Sequence, residues 1–523
     1  VEGCVSALIS ISQKHTPSIA HFFRAPLERG ILNLSFTFTK AQNLLELRKY
    51  NQMNRRSFLQ GMSLITGGAF ISLRANALTQ LLTTDTVKGR VTAGKKGVKG
   101  VVISDGFSVV LTDDKGNYEL TPNEKAKSIF MSTPSGYEFK TDYNVAKHYE
   151  NIGGSSHFDF KLEPLKVDDN NHHFVIWADP QVKNKKDVKQ MMDTSVPDTI
   201  ATIKSFGKNA LVHGICVGDI VWDNHELFPA YNEAVAQMGI PFFQAIGNHD
   251  MDYRQGGDET SDVTFKRVYG PTYYSFNRGK AHYVVLDNVR YLGVERDYDG
   301  YITEDQLSWL AKDLQYVKKD QLLIINLHIP VYNQVKNNQD FYKVLEGFSN
   351  VHIMSGHTHY HDNNITNGIF EHNHGTVCGG WWTGPICVDG TPRGYGVYSV
   401  NGTELKWYYK STGLPAENQI SVYAEKLTNQ MRLIANVWNY DPQWKVVYYL
   451  DDKPMGALSK EQGYDPLSVS LYKGDQLPAG RHFVEPHETG HLFVAHFEPS
   501  VKKVRVEATD RFGNKYSSEL DAK

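Results

Sequence analysis

Five apolar runs in the middle of the chain each stop at a polar residue of a type that binds metals. His173 to Ala178 stops at Asp179, and Ala210 to Val217 stops at Gly218-Asp219. Pro241 to Ile246 stops at Gly247-Asn248-His249-Asp250. Gln321 to Leu327 stops at His328, and Val351 to Ser355 stops at Gly356-His357-Thr358-His359. Runs this short and this apolar read as strands covered on both faces. Between them, Val188 to Phe206 and Glu226 to Met238 carry a helical pattern. Strands alternating with helices predict an α/β sandwich, and sites in such folds gather at the ends of parallel strands.

On either side the pattern changes to short alternating strands. From Val87 onward these are Val98 to Ile103, Ser108 to Leu111 and a turn-plus-strand from Thr112 to Leu120, broken at Gly, Asn and Asp. The reading is a small β-sandwich over residues 85–165. The sequence Gly-Val-Val-Ile-Ser-Asp-Gly and the later Gly-Asn-Tyr-Glu-Leu resemble transthyretin-like modules of secreted bacterial proteins. Such a module is either a ligand-binding surface or a spacer, and it holds no titratable cluster. After the central unit, taken as residues 171–411, a hairpin around Asn401-Gly402 closes the sheet. Residues 415–523 follow as an all-β unit: Ile420 to Tyr423, Gln430 to Val437, Trp444 to Leu450, His491 to Phe497 and Lys503 to Thr509, with a turn at Asp510 to Asn514.

The first 77 residues follow neither pattern. Asn54-Arg55-Arg56-Ser57-Phe58-Leu59 precedes a mildly apolar, Gly-containing run, Gly61 to Leu73, and then Ala75-Asn76-Ala77. A charged start, a short apolar stretch and an Ala-x-Ala end describe an export signal. The paired arginines resemble a twin-arginine signal, which implies a periplasmic or cell-envelope location in a bacterium. Residues 53–77 are therefore read as the signal, with Met53 as the natural start and 1–52 as a disordered upstream extension. The alternative is a genuine N-terminal arm. The run is too short and too Gly-rich to span a membrane, so no transmembrane segment is expected.

A length of 523 residues accommodates several domains. Formal net charge is −3 with no basic tract, so nucleic acid is not an expected partner. Cleavage after Ala77 removes nine Lys/Arg and three Glu and takes the net charge to −9. Four cysteines, Cys4, Cys216, Cys378 and Cys387, make neither a disulfide framework nor a Cys-based zinc site. Cys216 lies inside a strand; Cys378 and Cys387 flank a short loop, either as a pair or as free thiols.

The five strand-end groups, with Asp179-Pro180-Gln181 and Gly218-Asp219-Ile220-Val221-Trp222-Asp223 written out, resemble the blocks of the calcineurin-like metallophosphoesterase family. Those blocks are Asp-x-His, Gly-Asp-x-x-Asp, Gly-Asn-His-Asp/Glu, His and Gly-His-x-His, and they fall in the same order here. The resemblance implies that Asp219 bridges two divalent ions. Asp179, Gln181 and His359 would complete one site, and Asn248, His328 and His357 the other. Two ions about 3.5–4 Å apart activate a bridging water and clamp phosphoryl oxygens. Imidazole with carboxylate favours Mn, Fe or Zn, with Mg also possible. The resemblance makes His249 the catalytic histidine. Asp250 is read as the carboxylate that fixes its tautomer, and Asp223, one residue out of register in its block, as a supporting residue behind the ligands.

Gln181 departs from the family, which usually has His there. An amide oxygen is a weaker, harder ligand than imidazole, and it shifts preference toward Mn or Mg. Gln variants occur in branches similar to nucleoside-diphosphate-linked phosphohydrolases. His361, two residues beyond His359, is a further supporting candidate, whereas His172, His173, His213 and His352 belong to no motif. Downstream, Gly379-Gly380-Trp381-Trp382-Thr383-Gly384-Pro385 and Arg393 suit a shaped loop beside the metals. Trp381, Trp382 and Arg393 are the candidate substrate contacts.

The order of β unit, α/β unit and β unit resembles a Bacteroidetes-type subgroup of exported calcineurin-like proteins. The expected activity is hydrolysis of a small or envelope-derived phosphate ester, with a phosphodiester favoured, by a metal-bridging hydroxide. A pyrophosphohydrolase acting on nucleotide- or lipid-linked diphosphates is the nearest alternative. A metal-bearing envelope binding protein is the alternative from outside enzymes.

Overall fold

The computed structural model describes residues 86–473, 477 and 480–522. The extension 1–52, the signal-like segment 53–77 and Cys4 lie outside the described residues.

Two sheets face each other at the centre. In the first, Asn171–Trp177, Val212–Val217 and Phe242–Ala245 run parallel. The antiparallel hairpin of Gly394–Asn401 and Glu404–Ser411 extends it beyond Asn171–Trp177. In the second, Ala281–Val285, Leu322–Asn326, Val351–Ser355 and Ile369–Asn373 run parallel. The antiparallel strands Tyr274–Arg278 and Asp362–Thr366 edge it. Ala281–Val285 and Leu322–Asn326 are buried at every position, as an apolar strand covered on both faces must be.

Side chains alternate across each strand, and the alternation builds the sandwich. Phe243 faces the second sheet and stacks on Phe276 with ring centres 3.7 Å apart. Its neighbour Phe242 faces the other way, beside Trp177. The Trp177 indole N–H in turn donates to Thr199 of the helix Ser195–Ser205. Phe174 joins the inner layer by stacking on Tyr398 and meeting Tyr283 edge-on. Each such ring contributes about 1.5–3 kcal/mol by burial alone.

The helical pattern from Val188 to Phe206 resolves into two helices, Lys185–Asp193 and Ser195–Ser205. They break at Thr194, whose φ is −127° and whose hydroxyl bonds back to Gln190 O. Pro197 explains the break, because its ring nitrogen has no N–H to continue the helical ladder. Asn184 caps the first helix by accepting from the Lys186 and Asp187 N–H groups.

The N-terminal β region has its own core of Val91, Ile103, Tyr118, Ile129, Phe160 and Leu162 between two small sheets. It is not separate from the centre. Val145–Ala146 adds to the first central sheet beside Phe242, and Thr141–Asp142 follows it at the edge. The C-terminal region packs two four-stranded sheets over Leu433, Val437, Trp444, Phe493, Val504 and Val506. The strands Lys453–Ala457, Ser459–Tyr464 and Lys515–Asp521 complete them. Among the described residues no helix is long and apolar enough to cross a membrane.

Candidate metal centre

Each strand-end group lies just past the C-terminal end of its strand, on the rim where the two sheets meet. The turns there are unusual. Among the described residues, fifteen non-glycine residues have positive φ, and eight of them belong to this rim: Asp179, Gln181, Asp219, Asp223, His357, His359, Trp381 and Trp382. Left-handed backbone is costly for side chains of this size, and such strain collects where surrounding structure holds a functional geometry. Two glycines allow the close approach. A Cβ on Gly247 would lie 2.2 Å from Asp219 Oδ1, and one on Gly356 would lie 2.5 Å from Asp179 Oδ2.

One half of the cluster is centred on His328. Its Nδ1 donates to Val217 O at 2.8 Å, so in the neutral ring Nε2 carries the lone pair. That nitrogen lies 3.0 Å from Asn248 Oδ1, 3.1 Å from His357 Nδ1 and 3.3 Å from Asp219 Oδ1. In the other half His359 is fixed in the same way, with Nδ1 3.0 Å from Gly379 O. Its Nε2 lies 3.6 Å from Asp179 Oδ1. Gln181 Nε2 donates to Asp219 Oδ2 at 3.1 Å, while Gln181 Oε1 is buried without a partner.

These are acceptors crowded on acceptors, nearly all of them buried. A single proton on His328 Nε2 satisfies one of its three neighbours. Divalent cations would satisfy all of them together with the orphaned Gln181 oxygen, so the residues fit a metal pair. The proton equilibria record the same crowding. Burial pushes Asp179 up to about 8 and Asp250 up to about 7, with the Asp219 charge adding to both. Burial works against charge on His328, yet Asp219 beside it lifts it to about 9. Burial, reinforced by His328, takes His357 down to about 3. Asp219 is itself desolvated, but His328 and His249 hold it below the usual carboxylate range.

The sequence-predicted residues separate into three groups. Asp179, Gln181, Asp219, Asn248, His328, His357 and His359 come together. His249 stands beside them, and its orientation corrects one expectation. Its Nδ1 bonds Asp223 Oδ1 at 2.9 Å, whereas Asp250 accepts from the backbone N–H groups of Gly247, Ile220 and Val221. Asp223 thus fixes the imidazole, and Asp250 ties two of the loops together. Arg296, which no motif marked, pairs with the other Asp223 oxygen.

Of the remaining candidates, Trp381 reaches the cluster and the others lie behind it or away from it. His361 faces the C-terminal region, with Nε2 3.1 Å from Asn439 Oδ1 and its N–H bonded to Asp389. It supports that junction and not the ligands. Trp382 is buried and donates to Pro180 O at 2.9 Å, so it holds the Asp179–Gln181 loop and offers no free face to a substrate. Arg393 lies against Trp382 at 5.6 Å. Trp381 does reach the site, stacked on His359 at 3.8 Å. Cys378 and Cys387 are both free thiols, and Cys378 Sγ lies 3.6 Å from His359 Nδ1. His172 and His213 are buried in the aromatic core.

The family model for Calcineurin-like phosphoesterase matches residues 172–361. Its N-terminal and C-terminal companion models match residues 85–165 and 371–516. No curated protein matches the chain. Among solved structures, a dimetal phosphatase from Danio rerio is 14% identical over 46% of this chain and 97% of that chain, with a TM-score of 0.34. The purple acid phosphatase PPD1 from yellow lupin seeds is 11% identical over 60% of this chain and 67% of that chain, with a TM-score of 0.35.

Proposed function

The chain belongs to the calcineurin-like phosphoesterase family, and from that premise we propose that this metal-dependent phosphoester hydrolase acts on phosphodiesters in the cell envelope of a bacterium. The observation that carries the reading is the His249–Asp223 pair beside the ligand cluster. A protein that only stored or bound metal would need neither residue.

Asp179, Gln181 and His359 would hold one ion, and Asn248, His328 and His357 the other, with Asp219 between them. When bound, the pair supplies Lewis acidity that activates water and neutralises phosphoryl oxygens. The protein supplies the rest. Asp223 takes the Nδ1–H of His249 and leaves Nε2 free. A proton carried on that nitrogen can pass to the departing ester oxygen. The strained turns keep these groups in position before substrate arrives, which lowers the cost of ordering them.

Support for a diester comes from Gln181 in place of imidazole and from the aromatic rim around Trp381. Lys183 and Arg481, both close to Trp222 on that rim, favour a diphosphate as the second reading. The test is hydrolysis of bis(p-nitrophenyl) phosphate, p-nitrophenyl phosphate and ADP-ribose by stripped protein supplied with Mn, Zn, Fe or Mg. Faster turnover of the diester is the expected outcome. Turnover of the monoester alone would overturn it, and preference for ADP-ribose would establish the second reading. Export through the twin-arginine-like segment predicts a periplasmic protein whose N-terminus follows Ala77, read by N-terminal sequencing.

A further inference from the structure

The ligands Asn248, His328 and His357 have a support of their own, in a stretch that carries none of the motifs. Between Val285 and Glu304 the chain makes a small hairpin, Val289–Tyr291 paired with Tyr298–Gly300. Asn288 stands at its base and is fully buried. Its Oδ1 accepts from two successive backbone N–H groups, His328 at 3.1 Å and Ile329 at 3.0 Å, and its Nδ2 donates to Ile329 O at 2.6 Å. Three bonds from one side chain therefore fix the backbone from which the His328 ring projects. The ring is set separately by Nδ1 on Val217 O, so His328 is held at both ends. An apolar side chain would fill the same space at a lower desolvation cost, so packing alone does not account for an amide here.

The same hairpin reaches the other two ligands. The Tyr298 ring meets His357 edge-on, with ring centres 5.9 Å apart. The Tyr291 hydroxyl accepts from Arg254 N–H at 3.1 Å, and its ring lies 5.3 Å from Tyr253, whose hydroxyl donates to Asn248 O. Among the described residues the segment 288–300 makes no hydrogen bond to Asp179, Gln181 or His359. Those three are tied through Trp382 on Pro180 O and Gly379 O on His359. The hairpin thus supports one half of the cluster and leaves the other to a different loop.

We propose that Asn288 is a positioning residue for the ion of Asn248, His328 and His357, with Tyr298 as its accessory on His357. This rests on the two-ion reading of the centre. Residues behind the ligands hold them in geometry before the ion arrives, and losing one costs about 10- to 100-fold in metal affinity. Asn288 touches neither the ion nor a substrate; it acts through the His328 backbone. The cost of losing it falls on one ion and spares the other, because the hairpin bonds to one half of the cluster.

The test loads the wild type, Asn288→Ser, Asn288→Asp and Tyr298→Leu with manganese and dialyses each against increasing chelator. Metal content and electron paramagnetic resonance are read beside chemical denaturation. The wild type should hold two ions and show the signal of a spin-coupled pair. In Asn288→Ser the retention of one ion should fall by about tenfold or more, leaving the signal of an isolated manganese ion. Asn288→Asp keeps an acceptor for the His328 and Ile329 N–H groups, so it should keep both ions although it loses the bond to Ile329 O and some stability. Tyr298→Leu removes the ring contact and should weaken one ion by about two- to tenfold. Tyr298 is half-buried, so this variant should fold, and it carries the test if Asn288→Ser does not. Two ions retained equally in every variant, or both ions lost together from Asn288→Ser, would overturn the role and leave the two-ion reading intact. Fewer than two ions in the wild type would overturn the two-ion reading, and this role with it.

Discussion

The imidazole of His249 is held by Asp223, which precedes it by 26 residues, with Nδ1 2.9 Å from Oδ1. The adjacent carboxylate, Asp250, instead accepts three backbone N–H bonds at 2.9–3.1 Å. The two acids should therefore fail differently. Asp223→Asn should lower kcat/KM by about tenfold or more while metal content stays at the wild-type level. His249→Ala should lower it by about 10²–10⁴-fold. Asp250→Asn turns an amide N–H toward backbone donors and should cost about 1–3 kcal/mol of stability. Steady-state kinetics, metal analysis and chemical denaturation on the three variants separate the roles.

Trp382 acts on the centre from behind. Its indole N–H donates to Pro180 O, between Asp179 and Gln181. Trp382→Phe keeps most of the packing and removes that bond. The expected cost is about 1 kcal/mol of stability. Looser positioning of Asp179 and Gln181 should also weaken one of the two ions, read as a metal stoichiometry that falls toward one after dialysis against a mild chelator. An unchanged metal content would mean that Asp179 and Gln181 hold their place without Trp382.

The strands that carry the site were legible because they are short, apolar and followed at once by Asp, Asn or His. The period-2 and period-3.6 patterns also separated the β regions from the centre. The partner of His249 was not legible. Asp250 is nearer in sequence, and only the turn from Gly247 to Asp250 shows that its carboxylate is already taken by Gly247, Ile220 and Val221. Trp222 sat in full view inside the second motif, but nothing local placed it beside His249. Arg481 comes from a segment whose arrival at the rim depends on how the C-terminal sheets dock. The break at Thr194 was available in principle from Pro197, two residues beyond the start of the second helix. The short strand Val145–Ala146 was not, since two residues carry no period.

Gln181 offers a direct test of the metal reading. Its Oε1 is buried and unpartnered beside Asp219, and its backbone already sits at a φ of 41° that His tolerates better than most residues. Gln181→His replaces a weak oxygen donor with an imidazole. The variant should retain zinc or iron against a chelator better by about tenfold or more, and should depend less on added Mn. Metal analysis after graded chelation reads the difference. If retention does not change, Gln181 faces the ligand and not the ion.

A histidine far from the site should govern acid stability. His148 is buried, and neither of its ring nitrogens has a hydrogen-bond partner. It packs 4.1 Å from the Tyr274 ring and edge-on to Phe130. Burial takes its pKa down to about 3. In the unfolded chain the value returns to about 6.5, so the folded state binds fewer protons below that pH. Its contribution is fully present above pH 6.5 and is lost progressively as the pH falls toward 3. At pH 5 the loss from this one group is about 2 kcal/mol. His148→Phe keeps a ring of similar shape among Phe130, Tyr274 and Phe243 and removes both orphaned nitrogens. Denaturation midpoints measured at pH 7 and pH 5 should drop less in His148→Phe than in the wild type, by roughly that amount of free energy. Equal drops would mean that His148 gains a proton in the folded state as easily as in the unfolded one, and that its two nitrogens reach water.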